Sequence, residues 1–508
     1  MGYYFISIGG SGSRVLESLT HLCAMGLLPN NEKQGTLHIM TIDPDTGNGN
    51  LNRTKNLLKC LETFQRLDFG TGTPLLKTPL KLNDPVNWSP TDLDSKLDDV
   101  VSYTAFKDKT VGKLYSALYT SDERSTNLNA GFRGHPSIGA AVMAEKALTK
   151  DLLAGQMDWK NFIAAVKSDV GEARLVKIFL AGSIFGGTGA AGLPTIARLL
   201  HDEIFGAECT AGKVRVGGAL LLPYFSFTPT ADDIRNSGLF ALSDNFLTNT
   251  KAALRYYADT GGGGFDSIYF VGDETMTQVR NFSVGAGNQC NDAHVVDLFA
   301  AMGALHFFHA AHGRHCYSIA RKEQNKFQWI DLPNVKMEDE TTAPVRQRFA
   351  QFTRFILAYL HIVKPVFAAL QNKQESPDKH PWYSHYLKDI DVNSSEVTKF
   401  EEYAEDFWRW LNQIEHSAGG GRSVEFINPK AFAVINGKTT IDPNLFGTLD
   451  YGISDLTINK VIESINSKGG GWLDRLFSSR KKANENLGAG FGLFLRKLYD
   501  SCAANAAK

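Results

Sequence analysis

The chain has 508 residues, of which 43% are hydrophobic and 21% are charged, a composition typical of a globular protein with more than one core. Its 53 Lys and Arg balance 54 Asp and Glu, so the net charge gives no electrostatic basis for nucleic acid or an anionic membrane as the main partner. The six cysteines are scattered without a C-x-x-C pair, which predicts reduced thiols in a cytoplasmic protein and argues against a zinc site. No apolar run reaches about 18 residues, so no integral membrane segment is predicted.

The first half of the chain alternates short apolar runs with helical patterns. Buried strands are predicted at residues 3–8, 37–42, 175–181, 214–222 and 267–271, and helices at 15–27, 137–153, 193–204 and 234–257. This alternation predicts an α/β fold with a doubly wound, mostly parallel sheet. In such a sheet the ligand lies beyond the carboxyl ends of the strands.

The sequence also divides the chain into regions. We predict an α/β domain over residues 1–290, with the polar stretch 51–128 as an insertion that carries a helix or two. A long apolar helix is predicted over 291–312, and the helical patterns after it indicate a helix-rich second domain over 313–468. Residues 469–508 are predicted to be a C-terminal tail that begins with a glycine linker.

The most informative motif is FLAGSIFGGTGAAGLPTIA at residues 179–197. A buried strand leads into Gly186, Gly187, Thr188 and Gly189, and a helix follows directly. Backbone N–H groups and a helix N-terminus therefore converge on one point, which suits a phosphate group. No Lys-Ser/Thr pair follows the glycines, so the motif is not a Walker A loop.

A second glycine turn, Gly9-Gly10-Ser11-Gly12-Ser13, follows the first predicted strand. It lacks the third glycine of a dinucleotide-binding fingerprint and the acidic residue at the matching distance, which argues against an NAD-dependent oxidoreductase. Taken alone, each glycine turn is more often a tight connection between two elements than a phosphate site.

The order of these motifs resembles the tubulin/FtsZ superfamily. Residues 186–189 resemble the tubulin signature loop, and residues 9–12 are similar to the family's first phosphate loop. The sequence GFRGHPSIG at 131–139, with Arg133 and Gly134, looks like the loop that senses the γ-phosphate, and LPYFSF at 222–227 resembles the turn after the fifth strand. The resemblance covers about residues 1–312 and implies a tubulin-like GTPase domain with a central helix, as in bacterial tubulin-like proteins. It also implies GTP or GDP with Mg²⁺ as ligands.

The resemblance implies further contacts by position. Asp43 and Asp45 end the second predicted strand where the family places a loop near the phosphates and Mg²⁺, although a capped acidic turn explains them equally well. Asn291 begins the predicted central helix, and Asp273 ends the strand before it, both at base-contacting positions. Amide and acidic groups suit guanine, whose N1–H and N2–H₂ groups are donors, so GTP is favoured over ATP.

Hydrolysis in this family uses acidic residues that one subunit offers to the next. The family's Asn-x-Asp-x-x-Asp loop is absent here, and the nearest candidates for acids acting in trans are Asp331, Glu338 and Asp339. They are also compatible with a polar loop that caps the next helix. The resemblance therefore implies head-to-tail self-association into an oligomer or filament, with GTP hydrolysis at the contact. The alternative is a tubulin-like scaffold that binds nucleotide without hydrolysing it.

Two other patterns carry weaker hypotheses. Histidines at 306, 309, 312 and 315 suggest a metal, but a spacing of three drifts by about 60° per step on a helix, so no metal site is predicted. In the tail, the segment 472–477 followed by basic residues is compatible with a helix that contacts a partner protein. The apolar residues at 487–498 instead favour docking onto the chain itself or a neighbouring subunit.

Overall fold

The computed structural model describes residues 1–28, 35–70, 75–76, 78–147, 153–228, 241–279, 285–310, 315–321, 326–328, 345–417, 423–426, 432–435, 438–441 and 490–502. The strands are β1 (Gly2–Ile8), β2 (Thr36–Ile42), β3 (Leu80–Trp88), β4 (Val176–Ser183), β5 (Val214–Leu221), β6 (Phe225–Ser226), β7 (Ser267–Asp273), β8 (Thr277–Gln278), β9 (His315–Arg321), β10 (Lys326–Gln328), β11 (Ser423–Glu425), β12 (Phe432–Ile435) and β13 (Lys438–Ile441). The α-helices are α1 (Gly9–Ala24), α2 (Gly49–Phe64), α3 (Leu97–Val100), α4 (Thr110–Leu118), α5 (Ser121–Ser125), α6 (Pro136–Ala147), α7 (Met157–Gly171), α8 (Thr188–Arg198), α9 (Gly206–Thr210), α10 (Phe246–Asp259), α11 (Val295–His309), α12 (Val345–Ala358), α13 (Lys364–Gln371), α14 (Ser395–Glu415) and α15 (Phe491–Ser501).

Seven strands form a parallel sheet in the order β3-β2-β1-β4-β5-β7-β9. The predicted doubly wound α/β fold is therefore confirmed. Every residue of β1 and β4 is buried, because helices cover both faces of the sheet. Tyr3 and Phe5 of β1 face α1 and α11, whereas Tyr4 and Ile6 face α6, α7 and α8. The alternation follows from the two-residue period of a strand.

The strand order reverses direction at β1 and β4. From β1 the chain moves outward through β2 to β3, and from β4 it moves the other way through β5 and β7. The loops after β1 and β4 therefore diverge to opposite faces of the sheet and leave a crevice at the carboxyl ends of these strands.

Two edge strands lie where the sequence did not predict them. β3 falls inside the predicted insertion 51–128, and β9 follows the predicted boundary at residue 312. β3 is buried at its two ends, is exposed or half-buried between them, and contains Pro85, as an edge strand can. A search for continuous apolar runs finds buried central strands and misses half-exposed edges such as this one.

The central helix α11 is buried along almost its whole length, so its sequence shows no polar face. It begins at Val295, because the His294 side chain accepts a hydrogen bond from Val296 N–H while Asp297 accepts one from His294 N–H. The helix is thus shorter than the predicted 291–312. At its other end, Lys177 Nζ donates to the carbonyls of residues 307, 308 and 310, which stabilises the helix terminus.

The histidines near this helix have separate partners. His306 Nδ1 lies 2.8 Å from the Tyr269 hydroxyl, and His309 Nε2 lies 3.1 Å from the Leu27 carbonyl oxygen. His315 lies on β9, and residue 312 is outside the described residues. Within the described ranges these histidines form no group of metal ligands.

The helices after the sheet pack against α1 and α2. The apolar face of α14 is buried through Phe400, Tyr403, Phe407, Leu411 and Ile414. The described part of the predicted tail, α15, packs on the same chain: the Phe494 ring stacks 5.3 Å from Trp382. Segment 472–477 lies outside the described residues.

One helical stretch, Val345–Gln371, is long and apolar enough to cross a membrane by length and composition alone. Of its most apolar window, 56% is buried against the rest of the chain, and core helices pass the same test. The predicted absence of an integral membrane segment stays a prediction.

A buried ionic network joins α1, α2 and α14. Glu17 on α1 is fully buried and accepts hydrogen bonds from Arg53 Nε and Nη2 on α2, at 2.9 and 2.8 Å, and from Arg409 Nη2 on α14. Arg409 also pairs with Asp406. Glu17, His21 and Asp406 approach one another closely enough to be a candidate metal cluster, but the two guanidinium groups already occupy both Glu17 oxygens. The network therefore ties α14 to α1 and α2, the helices that cover this face of the sheet.

Candidate functional site

A cavity opens beyond the carboxyl ends of β1 and β4. Its lining comes from the loop after β1, the turn between β2 and α2, the loop before α6, the loop after β4, the aromatic segment after β5 and the segment before α11. The lining residues are Gly9, Gly10, Ser11, Arg14, Asp43, Asp45, Asn48, Asn50, Ala130, Gly131, Phe132, Arg133, Gly134, Ser183, Phe185, Gly186, Gly187, Thr188, Gly189, Phe225, Phe227, Ala241, Phe246, Val279, Gln289 and Asn291.

Two helices point their N-termini at this cavity without a side-chain cap. α1 begins at Gly9 and α8 begins at Thr188, and in neither helix does the N-cap residue accept a hydrogen bond through its side chain. The first N–H groups of a helix have no partner within it and carry a partial positive charge. Two such termini facing one space make a strong binding site for an anion.

Glycines allow the loops to meet. A Cβ atom at Gly187 would lie 2.8 Å from the Phe132 Cβ and 3.2 Å from the Gly134 backbone nitrogen, so only glycine lets the loop after β4 touch the loop before α6. Gly9 has a φ of 72°, which favours glycine at the sharp turn from β1 into α1. The three glycine-containing loops found in the sequence thus lie around one cavity.

Two side chains in the cavity wall carry polar atoms that no described residue pairs with. These atoms are Asn50 Nδ2, Asn50 Oδ1 and Asp43 Oδ2, and all three are buried. Asp43 Oδ1 accepts from Asp45 N–H at 3.1 Å. Leaving buried polar groups unpaired costs about 1–3 kcal/mol each, so these atoms fit a polar ligand that satisfies them.

Two carboxyl groups, those of Asp43 and Asp45, lie close together in the turn after β2, where a positive charge would stabilise their ionised forms. Burial, together with the neighbouring Asp45 carboxylate, raises the pKa of Asp43 to about 8, and the Asp45 N–H group and Lys55 only partly oppose them. The Asp45 oxygens accept from Gly47 N–H at 3.2 Å and Ala286 N–H at 2.7 Å. An unpaired carboxylate oxygen beside an anion site fits a hard divalent cation such as Mg²⁺, which prefers oxygen ligands.

Aromatic rings form another wall of the cavity. Phe185, Phe225, Phe227 and Phe246 line it, with the rings of Phe185 and Phe246 centred 4.6 Å apart. The Arg14 guanidinium lies 5.4 Å from the centre of the Phe225 ring. Such a wall can contact the flat, less polar part of a ligand whose charged part lies at the helix N-termini.

Arg14 is held by a buried hydrogen-bonded group. Its Nε donates to Asp297 Oδ2 at 3.1 Å, and its Nη2 donates to the Tyr224 hydroxyl. Tyr224 in turn donates to Asp297 Oδ1 at 2.6 Å. This group ties the first turns of α1 to the start of the central helix α11, directly beside the cavity.

Most sequence-predicted binding residues lie in the cavity lining, namely Gly9, Gly10, Ser11, Asp43, Asp45, Arg133, Gly134, Gly186, Gly187, Thr188, Gly189 and Asn291. Three do not. A Cβ at Gly12 would lie 2.5 Å from the Ala181 carbonyl, so this glycine serves the packing of α1 on β4. Ser13 is buried and its carbonyl accepts from the Thr54 hydroxyl, while Asp273 ends β7 and accepts from Thr275 N–H.

The three candidate catalytic acids, Asp331, Glu338 and Asp339, lie outside the described residues. Sequence reasoning also missed Arg14, Asn48 and Asn50, which line the cavity. The repeated Gly-Asn pattern at residues 47–50 was an available signal, because Asn is a preferred helix N-cap. Asn48 does cap α2, accepting from Asn50 N–H at 2.9 Å.

Comparison with known proteins gives limited information. No protein-family model and no curated protein matches the chain. Among solved structures it is similar to CetZ from Methanosaeta thermophila strain DSM 6194, with 11% sequence identity over 59% of this chain and a TM-score of 0.26. The match spans 52%, about half, of that protein's length. A TM-score this low supports no argument about function. The fold is therefore described from the topology of the sheet, and the site from the geometry of the cavity.

Proposed function

We propose that this chain is a tubulin-like protein that binds GTP or GDP together with Mg²⁺ in the cavity at the carboxyl ends of β1 and β4. The observation that carries the proposal is the convergence of two uncapped helix N-termini on a cavity whose wall holds the Asn50 carboxamide and Asp43 Oδ2, which no described residue pairs with. The order of the glycine loops along the chain, which resembles the tubulin/FtsZ superfamily, supports a nucleotide as the anion.

Each part of the cavity has a role in this proposal. The N–H groups at the start of α1 and α8 hold the phosphates, and Asn50 donates to a phosphate oxygen. Mg²⁺ neutralises phosphate charge, with Asp43 and Asp45 holding it directly or through its water ligands. The aromatic wall excludes water from the sugar side of the nucleotide.

The first test is the identity of the nucleotide that the purified protein releases on denaturation, followed by competition binding with GTP, ATP and NAD. Guanine nucleotide with a preference for GTP would support the proposal. Release of NAD, or no measurable affinity for any nucleotide, would contradict it.

Substitution of Asp43 by Asn distinguishes the binding of the cation from the binding of the nucleotide. We expect the ligand-free variant to be more stable than wild type by about 1 kcal/mol, because a buried, unpaired carboxyl group is removed. Its affinity for GTP should fall in Mg²⁺ and stay unchanged in a chelator. Thermal unfolding and calorimetric titration measure both effects, and an equal loss of affinity with and without Mg²⁺ would remove Asp43 from the cation site.

We further propose that the cavity mouth is a contact surface for a second copy of the chain. Leu247 is exposed directly after Phe246, which lines the cavity at the start of α10. Val111, Leu114 and Leu118 lie exposed at helical spacing on α4, and Tyr119 at the end of this helix donates its hydroxyl to the Ser137 carbonyl in the first turn of α6, the helix that follows the lining loop at residues 130–134. Exposed apolar residues around a binding site favour a protein contact.

A head-to-tail contact of this kind closes into a ring or continues as a filament. Hydrolysis would then need acidic groups from the adjoining subunit, for which Asp331, Glu338 and Asp339 remain the candidates. Turnover per molecule should rise above a threshold concentration together with light scattering. Binding without turnover at any concentration would favour the non-hydrolysing scaffold.

Leu114→Glu tests the contact surface. We expect the threshold concentration for assembly to rise at least about tenfold, because burying a leucine contributes about 1.5–3 kcal/mol and a carboxylate there must be desolvated. Leu114→Met, which keeps the apolar surface, should assemble like wild type. Sedimentation with GTP measures assembly, and both variants should bind nucleotide normally. Wild-type assembly by Leu114→Glu would move the contact elsewhere.

A further inference from the structure

A second cavity adjoins the first, with a volume of about 580 Å³. The two cavities share Arg14, Phe225, Val279 and Asn291 in their linings. One side of the second cavity is formed by the segment 288–294 before α11, and the opposite side by the C-terminal end of α14 in the helical domain, through Asn412, Gln413, His416 and Ser417. Two domains of the same chain therefore meet around this space.

Three carboxamide groups line the second cavity without a hydrogen bond to any described residue, on Asn288, Asn291 and Asn412. Asn291 is half-buried, whereas Asn288 and Asn412 are exposed and open to a ligand. Asp292 offers a further acceptor: its Oδ1 takes a hydrogen bond from Gln413 Nε2 at 2.6 Å, and among the described residues none donates to its Oδ2.

The back of the cavity is aromatic. Tyr224 lies between Phe225 and His294, with ring centres 5.1 and 4.8 Å away. Both ring nitrogens of His294 are occupied, one by Val296 N–H and the other by the Thr277 hydroxyl. A flat ligand with a polar edge, backed by rings and faced by amides, fits these surroundings.

The C-terminal turn of α14 is fixed to the segment before α11. Gln413 Oε1 accepts from Ala293 N–H at 3.1 Å and from Arg409 Nη1 at 2.6 Å. The Thr277 hydroxyl donates to the Ser417 carbonyl at 2.6 Å. These bonds hold the backbone on both sides of the cavity at a constant separation and leave the Asn412 side chain free to contact a ligand.

We propose that the base of the nucleotide lies in this second cavity and that the helical domain reads its edge through Asn412 on α14. The inference rests on the proposed function, since it takes the phosphates to lie at the start of α1 and α8. Guanine presents N1–H and N2–H₂ donors beside the O6 acceptor. Carboxamides and the free oxygen of Asp292 match this edge, whereas adenine lacks the paired donors. Base selectivity therefore depends on the helical domain as well as on the sheet domain.

The test compares Asn412→Ala with wild type by calorimetric titration of GTP, ATP and inorganic tripolyphosphate. We expect GTP affinity to fall about 3- to 10-fold, the effect of one net hydrogen bond, with a smaller change for ATP and none for tripolyphosphate, which reaches only the first cavity. Glu396→Ala, an exposed position on the first turn of α14, is the matched control and should bind all three ligands as wild type does.

The outcomes separate this inference from the proposed function. If wild type binds neither GTP nor tripolyphosphate, the proposed function is wrong. If wild type prefers GTP and Asn412→Ala keeps the same affinity and preference, the base does not contact α14 and the inference alone is overturned. An equal loss of GTP and tripolyphosphate affinity also overturns it, because the variant would then act on the phosphate cavity.

Discussion

Replacing Gly10 with leucine is expected to lower nucleotide affinity at least about 100-fold, a loss of about 2.7 kcal/mol or more. Gly10 lies at the start of α1 in the cavity wall. A Cβ atom there would lie 3.3 Å from Asn48 Nδ2 and 3.5 Å from Asn50 Nδ2. A leucine side chain would extend past these contacts into the space proposed for the phosphates and would block the unpaired Asn50 amide. Calorimetric titration with GTP and Mg²⁺ measures the effect.

The substitution should leave the fold intact, because Gly10 is partly exposed and its φ is not positive. Gly171→Leu is the matched control: a Cβ at Gly171 meets nothing within 4 Å, so this variant should bind like wild type. Equal melting temperatures for the two variants would show that any loss of affinity is local. A Gly10→Leu protein with wild-type affinity would exclude this cavity as the phosphate site.

Replacing Glu17 with alanine is expected to reduce the free energy of unfolding by about 3–5 kcal/mol. The variant would leave the guanidinium groups of Arg53 and Arg409 next to a buried space without their shared carboxylate. Arg53 also donates to the Asn291 carbonyl at 3.1 Å, so the change should loosen the segment that lines both cavities. Urea unfolding at pH 7 measures the loss.

Glu402→Ala is the matched control on α14, because Glu402 is exposed and its carboxylate makes a surface pair with Lys399 and a long, 4.0 Å contact with the Cys60 thiol. Its cost should be no more than about 1 kcal/mol. Burial alone raises the pKa of Glu17, but Arg53 and Arg409 outweigh burial and hold the pKa below its ordinary value. The stabilisation by Glu17 is therefore complete above the unfolded-state pKa of about 4.3 and is lost as pH falls through the folded-state pKa. A Glu17→Ala cost that stays constant into strong acid would contradict this account.

The central strands and the glycine loops could be predicted from sequence because both are local signals. β1 and β4 are buried on both faces and appear as continuous apolar runs, and the loop at 186–189 follows one of them directly. β3 could not be found in this way, because an edge strand with one exposed face carries polar residues and even a proline.

The parts of the site that escaped prediction depend on distant contacts. Asn50 becomes a cavity residue only because α2 packs beside α1, and Asn412 only because α14 returns to the start of α11. Asp273 fits the expected position along the chain, but its carboxylate is used by its own turn at Thr275. Sequence order identifies which loops share a sheet edge, and it does not give the rotation of a side chain within that edge.

Helix α1 is buried on both sides, and one side is covered by a part of the chain that is synthesised much later. Fourteen of its sixteen residues are buried, with the sheet on one side and α14 on the other. The Trp410 indole donates to Ser18 across 392 residues of sequence. At about 5–20 residues per second, a ribosome needs on the order of 20–80 seconds to synthesise that interval. During that time the newly made α1 has no α14 to cover its outer face, so the nascent chain exposes apolar surface beside the cavity until α14 emerges.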